Sequence, residues 1–573
     1  MNIRLKLVIA GLCFLSGGNT CADERPNILF VLTEDQGAHL SLLGTPGLKT
    51  PHIDSLANSG VYFSNAFVTY PVCSASKAAM YTGLHGHTNG ILNNTHNFHK
   101  PASRVTKAEQ NLWLARNNRI RDPFLTLTEI LKANGYYQGV THKLHVLPNE
   151  KFPYDEFLHG SRSELENFIT NATNRDQPWF LMVNLPNSHR PFPNSDKNPI
   201  RVRPSEVRLP RFLPDSSAVR RDWAEYLAGI EQADALTGRT LEVLERCGQQ
   251  DNTIVFFMSD HGPAFQHGKM TLYDLGLRVP LIVSGPGIAQ TLVRDELVSE
   301  LDLLPTILQL CGIDPPFDYS LHGQSIERLL TSDTAAKGHE YLFAEISNRG
   351  PLPNDGIQER SVFDGRWKLI YRENVGKAWR QVNADSRQFE TWGNRTYDET
   401  IRLRDECPEA FRILAEMDPQ NLGAEVPEVE VYDLEFDPDE IRNLAAEPSA
   451  APIRNRLIAA LRSWAKETKD TSISLVSFQE DESHTVASPE VAAAEVATAE
   501  VAVQDFDELK KQLTRQWPNN RLVRFVFHGH SVPAGYFRGG KVRRFDSYPV
   551  LFHQQLCDAY PTSVIDVCTT AIG

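Results

Sequence analysis

Short apolar segments alternate with amphipathic segments in the first two-thirds of the chain. PNILFVLT (26–33), WFLMVNL (179–185) and the start of TIVFFMSDHG (253–262) are continuous apolar runs, which is typical of strands buried in a parallel sheet. Residues 223–245 have apolar positions at helical spacing and predict a long amphipathic helix. The alternation predicts an α/β fold in which polar residues gather at the carboxyl ends of the strands.

The pattern changes in the following region, where shorter apolar runs are separated by turns. RSVFDGRWKLIYR (360–372) and EVYDLEFDPDEIRNL (430–444) predict short antiparallel strands, and RNRLIAALRSWAKE (454–467) predicts a closing helix. We therefore expect a main domain over residues 23–355 and a smaller C-terminal α+β subdomain over residues 356–470.

The N-terminus has the pattern of a targeting segment. Arg4 and Lys6 precede the apolar run 7–15, and small or polar residues follow, which predicts a signal peptide over residues 1–22 and export of the mature protein. A buried first helix is the alternative interpretation. No later stretch reaches about 20 uninterrupted apolar residues, so no membrane span is expected.

The C-terminal region consists of a segment of low sequence complexity, followed by the beginning of a second strand–helix pattern. Residues 478–504 are dominated by Ala, Val and Glu with near-repeats of AEVA, which predicts a linker, with a short helix as the alternative. Residues 505–573 predict a strand, a Gly-rich turn at Ser531, a helix and a second strand. Because a unit of this size buries little core by itself, we interpret it as the opening of a further domain.

The charge balance excludes some partners. The chain of 573 residues has 58 Lys and Arg against 72 Asp and Glu, a formal net charge of −14. This balance argues against a nucleic-acid partner, because little positive charge is left to neutralise phosphates. It permits an anionic small substrate, which needs one basic pocket only. Eight cysteines are too few for a disulfide scaffold in a chain of this length.

Five polar clusters follow the predicted strands or lie just beyond them, and they carry the candidate chemistry. The clusters are Glu34-Asp35, the loop from Cys73 to Lys77, Lys143 with His145, His189, and Asp260-His261 followed by Lys269. Carboxylates with further oxygen ligands suit a hard divalent cation such as calcium. Lysines and histidines beside such an ion suit a tetrahedral oxyanion. A single cluster has an ordinary interpretation as a surface turn or a buried thiol, whereas five at strand ends together predict an active site.

Several of these segments together resemble the type I sulfatases of the alkaline phosphatase superfamily. The segments are NILFVLTEDQG, TPHIDSLANSGVYFSNAF, VCSASKAAMYTG, THKLH, SDHG and GLRVPLIV. The resemblance covers residues 25–465 and implies an alkaline-phosphatase-like sandwich with a large central mixed sheet flanked by helices. It also implies that a formylglycine-generating maturation enzyme oxidises Cys73, the first residue of the signature, to formylglycine.

The resemblance further implies roles for the polar residues. The implied metal ligands, for one calcium ion, are Glu34, Asp35, Asp260, His261 and the modified Cys73. The implied contacts to the sulfate or the leaving group are Lys143, His145, His189 and Lys269, with Lys77 supporting the modified residue or the metal. In this mechanism one oxygen of the hydrated aldehyde attacks sulfur, and the other later expels sulfate as the aldehyde re-forms, which a thiol is unable to do.

Two residues depart from the pattern of the family. Glu34 stands where the family usually has Asp, and it adds one methylene. Lys77 stands where the signature usually has Arg; it keeps the charge but loses the planar fork, and it changes a residue that the maturation enzyme reads. An unmodified, inactive glycan-binding protein is therefore an alternative to an active sulfatase.

Two segments resemble one branch of the family, the heparan N-sulfatases or sulfamidases. They are TGLHGHTNGILNNTHNFHK and KLHVLPNEKFPYDEF. This resemblance implies a sulfated carbohydrate substrate, and the histidine-rich tract is either a sugar-binding loop or a set of histidines without a role. A glycan O-sulfatase and a phosphate or phosphonate monoester hydrolase are the alternatives.

The segment FHGHSVPAGYF near the C-terminus resembles the first block of the SGNH (GDSL-like) hydrolases. The resemblance implies that Ser531 corresponds to their catalytic serine. The blocks that supply the remaining catalytic residues are absent from the sequence, and a nucleophile without its base is a weak catalyst. We therefore interpret residues 505–573 as a truncated SGNH-like fragment.

Overall fold

A computed structural model describes most of the chain up to residue 475 and four short strands beyond it. The described ranges are 25–193, 200–332, 335–347, 358–373, 375, 394–418, 422–475, 523–529, 536–537, 541–542 and 565–571. The predicted signal peptide, the predicted linker, the boundary at residue 355 and Ser531 lie outside these ranges.

The strands and helices alternate through the first half of the chain, as the sequence predicts. The strands are β1 (Asn27–Thr33), β2 (Gly60–Phe63), β3 (Ala66–Phe67), β4 (Tyr137–Thr141), β5 (Glu156–Leu158), β6 (Trp179–Leu185), β7 (Thr253–Ser259), β8 (Leu281–Ser284), β9 (Leu292–Arg294), β10 (Val298–Ser299), β11 (Leu342–Ser347), β12 (Gln358–Phe363), β13 (Trp367–Glu373), β14 (Val429–Asp433), β15 (Val523–Gly529), β16 (Tyr536–Phe537), β17 (Lys541–Val542) and β18 (Ile565–Ala571). The helices are α1 (Pro51–Asn58), α2 (Cys73–Thr82), α3 (Gly86–Asn89), α4 (Lys107–Gln110), α5 (Trp113–Asn117), α6 (Leu127–Ala133), α7 (Arg162–Thr173), α8 (Ser217–Arg246), α9 (Asp274–Leu277), α10 (Leu303–Leu310), α11 (Arg395–Arg402), α12 (Pro408–Met417) and α13 (Ala451–Thr468).

The large sheet has eight strands in the order β5-β4-β6-β1-β7-β8-β2-β9. The central strand β1 pairs in parallel with β6 and β7, whereas β8 runs antiparallel to both of its neighbours. Every residue of β1, β6 and β7 is buried, which explains why their sequences are continuously apolar. The sheet is therefore mixed, as the resemblance implies, and the polar residues after its parallel strands emerge at one edge.

Two hydrophobic cores cover the two faces of this sheet. Alternate residues of β1 point to opposite sides, so that Phe30 joins one core and Val31 joins the other. Helices α2, α6 and α10 contribute to the first core, and α1, α7 and α8 contribute to the second. The result is a helix–sheet–helix sandwich in which α2 lies against the face of Phe30.

The smaller subdomain is built on an antiparallel sheet of four strands in the order β11-β12-β13-β14. Alternate residues again face two sides: Ile370 packs into the first core of the main domain, and Leu369 packs against Leu461 of α13. The predicted strands and closing helix of this region are therefore confirmed.

The chain divides into two compact units, residues 1–479 and 480–573. In the second unit β15 and β18 pair in parallel, and β16 pairs with β17 in antiparallel fashion. The two strands that the sequence predicts there are present. Among the helices that the structure describes, none combines the length and the apolar character needed to cross a membrane.

Candidate active site

The pairs Glu34-Asp35 and Asp260-His261 meet because their strands, β1 and β7, are neighbours. Thr33 at the end of β1 pairs with Ser259 at the end of β7, so the residues that follow them emerge side by side. The backbone N–H of Asp35 donates to Oδ1 of Asp260 over 3.0 Å. Asp35 has a φ of 56°, a left-handed conformation that is uncommon for a non-glycine residue and is often found at functional sites.

Cys73 reaches this edge from a helix rather than from the loop that the sequence predicts. It is the first residue of α2, after Val72 as the N-cap, and it is 1% exposed. Its Sγ lies 3.3 Å from Nε2 of His261. The loop prediction fails because nothing in CSASKAAMYT opposes a helix, and Ala, Lys and Met favour one.

Four residues bring their ligand atoms within 4.8 Å of one another at this edge: Asp35, Cys73, Asp260 and His261. Nε2 of His261 lies 3.5 Å from Oδ1 of Asp35 and 3.7 Å from Oδ1 of Asp260. Oδ2 of Asp260 is buried without a hydrogen-bond partner. A buried carboxylate oxygen of this kind carries an energetic penalty that a cation would remove, so the residues present fit a divalent ion.

Glu34 lies beside this group but is engaged elsewhere. Its Oε1 accepts from Nζ of Lys77 at 3.0 Å, and its Oε2 accepts from Nζ of Lys143 at 2.7 Å. These two cations hold the pKa of Glu34 far below its usual range, although burial acts in the opposite direction. The group of four that fits an ion does not include Glu34, so its role as a ligand stays a prediction of the resemblance.

The other predicted basic residues converge on Cys73 from three strand ends. Lys143 and His145 follow β4, and His189 follows β6 after one short helical turn. Lys269 donates to both carboxylate oxygens of Asp35, at 3.1 and 3.0 Å, and its Nζ lies 3.5 Å from Nε2 of His189. All the residues that the sequence predicts for this site therefore lie in one place.

These positive groups change the pKa of the Cys73 thiol. Burial raises its pKa, but Lys143, Lys269 and His261 act against burial and bring the pKa well below its usual range. The His145 ring acts in the same direction. A pocket that stabilises a buried thiolate in this way also stabilises other negative charge at the same place.

The histidines of the site differ in their protonation. Burial lowers the pKa of His189, but Asp35 and Cys73 raise it to about 10, so this ring is protonated at neutral pH. Asp260 and Asp35 likewise overcome burial and raise the pKa of His261 to about 9 when no cation is bound. Burial lowers the pKa of His145, which is therefore the neutral ring of the site.

The structure adds one residue to the site and removes two from its neighbourhood. Asn184, in the apolar strand β6, accepts from Nζ of Lys77 at 3.0 Å; a lone polar residue in WFLMVNL is the signal that sequence reasoning missed. Two histidines of the histidine-rich tract, His85 and His87, pack against Trp464 of α13 instead of the strand ends. That part of the tract is therefore a contact with the smaller subdomain.

Comparison with known proteins defines the family. A sequence profile of the sulfatase family matches residues 26–313, and a profile described as N-sulphoglucosamine sulphohydrolase, C-terminal, matches residues 262–399. The chain therefore belongs to the sulfatase family. This result confirms the predicted class of enzyme, a sulfuric ester hydrolase.

Two relatives and one solved structure illustrate the similarity. Human N-sulphoglucosamine sulphohydrolase is 28% identical over 508 residues, covering 81% of this chain and 93% of that protein. An ulvan-active sulfatase of Formosa agariphila is 28% identical over 480 residues, covering 76% and 73%. The structure of a 2-O GAG sulfatase matches with a TM-score of 0.55 at 21% identity, covering 78% and 93%, which shows the shared fold.

Proposed function

We propose that the chain hydrolyses sulfate esters or sulfamates of a sulfated glycan, with a formylglycine made from Cys73 and one divalent cation. The observation that carries this proposal is the convergence of Lys143, Lys269 and His189 on the buried Cys73. Sulfate is a tetrahedral anion, and a phosphoryl group has the same shape. The identity of the family favours sulfate between the two.

The lysines and the histidines would act on different parts of the substrate. Lys143 and Lys269 are held by Glu34 and Asp35, so their charges are positioned before substrate arrives. Their ammonium groups can donate to the sulfate oxygens. Protonated His189 is equipped to donate a proton to the leaving oxygen or nitrogen, whereas neutral His145 can accept one.

The cation and the modification would supply what these side chains lack. Asp35, Asp260 and His261 would hold the ion together with the modified residue 73, and we assign calcium because the family implies it. Bound there, the ion would supply positive charge for an oxygen nucleophile and for a sulfate oxygen. Conversion by a maturation enzyme would turn Cβ of Cys73 into an aldehyde carbon, whose hydrate has the oxygen nucleophile.

The preference for glycans rests on the relatives. The human relative is named for N-sulphoglucosamine and the bacterial relative for ulvan. The match of residues 262–399 to the C-terminal profile of N-sulphoglucosamine sulphohydrolase favours the sulfamidase branch. We also propose export, which the Arg4–Lys6 pair and the following apolar run support.

A substrate panel tests the function. Protein co-expressed with a maturation enzyme would be assayed with N-sulfoglucosamine, O-sulfated sugars, aryl sulfate and aryl phosphate. We expect sulfate release from at least one sulfated compound and much slower phosphate release. Faster phosphate release would instead support a phosphomonoesterase.

Peptide mass spectrometry tests the modification separately. We expect residue 73 to lose sulfur and gain oxygen in the active sample. The variant Cys73→Ala should have no measurable sulfate release, and it should remain folded because the substitution removes a single buried atom. An unmodified Cys73 with no turnover after co-expression would support the inactive glycan-binding alternative.

A further inference from the structure

A buried glutamate outside the predicted site contacts the helix that begins with Cys73. Glu300 follows β10 as the first residue of a short 3-10 turn, and it is 0% exposed. Strand β10 pairs with β3, and the chain leaves β3 toward α2 through Thr69. Glu300 therefore lies under the segment that delivers Cys73 to the strand ends.

The two oxygens of Glu300 have different partners. Oε1 accepts from the backbone N–H and from the hydroxyl of Thr69, both at 2.7 Å. Oε2 lies 2.6 Å from Oγ of Ser76, which is one helical turn after Cys73. Oε1 thus has two hydrogen-bond donors, as a carbonyl oxygen can have.

A count of protons at Ser76 decides the state of the other oxygen. Oγ of Ser76 also lies 2.5 Å from the backbone carbonyl oxygen of Asp260. A serine hydroxyl has one proton, and a carbonyl oxygen has none. If Glu300 were a carboxylate, one of these two short oxygen–oxygen contacts would lack a proton. Both contacts are satisfied when Ser76 donates to Asp260 and Glu300 donates to Ser76.

We propose that Glu300 is a positioning residue held in its neutral acid form, which donates to Ser76 so that Ser76 can donate to the carbonyl of Asp260. The carbonyl belongs to the peptide that joins Asp260 to His261, so the chain of hydrogen bonds fixes two residues of the ion-binding group. It also joins that peptide to the first turns of α2. The effect on catalysis rests on the proposed function, whereas the protonation of Glu300 does not.

The surroundings of Glu300 agree with this assignment. Burial raises the pKa of Glu300 to about 8, and the negative charge of Asp260 adds to burial, while Ser76 and Thr69 oppose it. No lysine, arginine or histidine within the described ranges forms an ion pair with Glu300 in the structure. An ionised glutamate with this degree of burial would leave its charge unpaired.

Infrared difference spectroscopy tests the protonation directly. The spectrum of the wild type minus that of Glu300→Gln should contain the C=O band of a protonated carboxyl, shifted in D2O. The matched control is Glu345→Gln, because Glu345 is equally buried but ion-paired to His87. Its difference spectrum should contain a carboxylate band instead. Absence of the carboxyl band from the Glu300→Gln difference would overturn the proposal, whether or not the enzyme is active.

Kinetics test the positioning role. Glutamine offers an oxygen to Thr69 and an N–H to Ser76, so Glu300→Gln should keep kcat within about threefold of wild type. Glu300→Leu removes both contacts and should lower kcat at least about tenfold with little change in KM, since Glu300 does not contact substrate. An equal loss in both variants would overturn the proposal, because it would mean that the negative charge is needed. A wild type that releases no sulfate but has the carboxyl band would refute the proposed function alone.

Discussion

Among the residues that the structure describes, two clusters of acids and histidines each bring at least three possible ligand atoms within 4.8 Å of one another. One is the strand-end group of Asp35, Cys73, Asp260 and His261. The other lies where the main domain meets the smaller subdomain, and we call it the arginine cluster after its centre, Arg360. Its acids are Glu345 and Asp470, and its histidine is His87.

The two clusters differ in what neutralises the acids. In the arginine cluster, Nε of Arg360 lies 2.6 Å from Oδ2 of Asp470, and Nη2 lies 3.4 Å from Oε2 of Glu345. Nδ1 of His87 lies 2.8 Å from the same oxygen of Glu345. In the strand-end group, Oδ2 of Asp260 has no such partner. Lys269 pairs with Asp35 in the strand-end group, so the feature that distinguishes this group is the carboxylate oxygen of Asp260 that no side chain satisfies.

We expect the largest effect from a substitution in the strand-end group. Asp260→Asn removes the charge of the oxygen that the cation would neutralise, so we expect loss of bound metal and a fall in kcat/KM of at least about 100-fold. Metal content after dialysis and sulfate release measure both effects. Asp470→Asn is the matched control and should retain the metal. If Asp470→Asn lost the metal and Asp260→Asn kept it, the two assignments would be reversed.

We expect the next largest effect from a substitution in the arginine cluster. Arg360→Met leaves Glu345 and Asp470 buried without their common partner, so the free energy of unfolding should fall by about 3–5 kcal/mol. Denaturant unfolding measures the loss, and the metal content should not change. A variant as stable as wild type would show that Arg360 is not what holds the cluster together.

The strand-end group was accessible to sequence reasoning because Asp35, Asp260 and His261 closely follow recognisable strands. Apolar runs such as residues 27–33 predict the strands, and the topology of a parallel sheet brings the polar residues that follow those strands together. The signature at Cys73 added the remaining member. The helical position of Cys73 was missed because short polar and small residues are compatible with loop and helix alike.

The arginine cluster has no comparable signal in the sequence. His87, Glu345, Arg360 and Asp470 come from four separate segments, and no motif joins them. Their meeting depends on the packing of the subdomain sheet against the main domain, which is a tertiary effect. The same reason hid Glu300, whose partners Thr69 and Ser76 are more than 220 positions away in the chain.

A double-mutant cycle tests the pairing of Glu34 with Lys77 beside the strand-end group. Glu34 is one methylene longer than Asp, and it meets Lys77 at 3.0 Å where both are 1% exposed. Glu34→Asp should withdraw the carboxylate and leave Lys77 without its carboxylate partner, whereas the larger guanidinium group of Lys77→Arg should overlap the carboxylate of Glu34. The double variant should recover activity, with a coupling of about 1–3 kcal/mol in kcat/KM.

The content of formylglycine must be measured for each variant of this cycle, because Lys77 is also part of the signature. Values of kcat/KM are then expressed per modified molecule. Additive losses in the two single variants would show that the lengths of Glu34 and Lys77 are not matched to each other.

We expect the smallest effect from the pH dependence of the Tm, which the histidine of the arginine cluster influences. Burial lowers the pKa of His87, but Glu345 outweighs burial and raises it above the ordinary value of about 6.5. A raised pKa means that His87 stabilises the fold below the unfolded value and loses that contribution as pH rises through the folded value. His87→Gln should therefore lower Tm most at acidic pH and least at alkaline pH.

His322 provides a control of opposite sign in the same stack of rings. Burial, together with His87, lowers its pKa to about 4, so His322 is neutral in the folded protein and its Nδ1 accepts from the backbone of His85. Because the unfolded chain binds this proton more tightly, His322 destabilises the fold as pH falls from about 6.5 toward 4. His322→Gln keeps a hydrogen-bond acceptor that does not bind a proton, and it should raise Tm relative to wild type in that window.

The Tm of the wild type, His87→Gln and His322→Gln, measured from pH 4 to pH 8, would separate the contributions of the two histidines. A shift of Tm of the same sign in both variants would contradict the assignment of charged His87 and neutral His322.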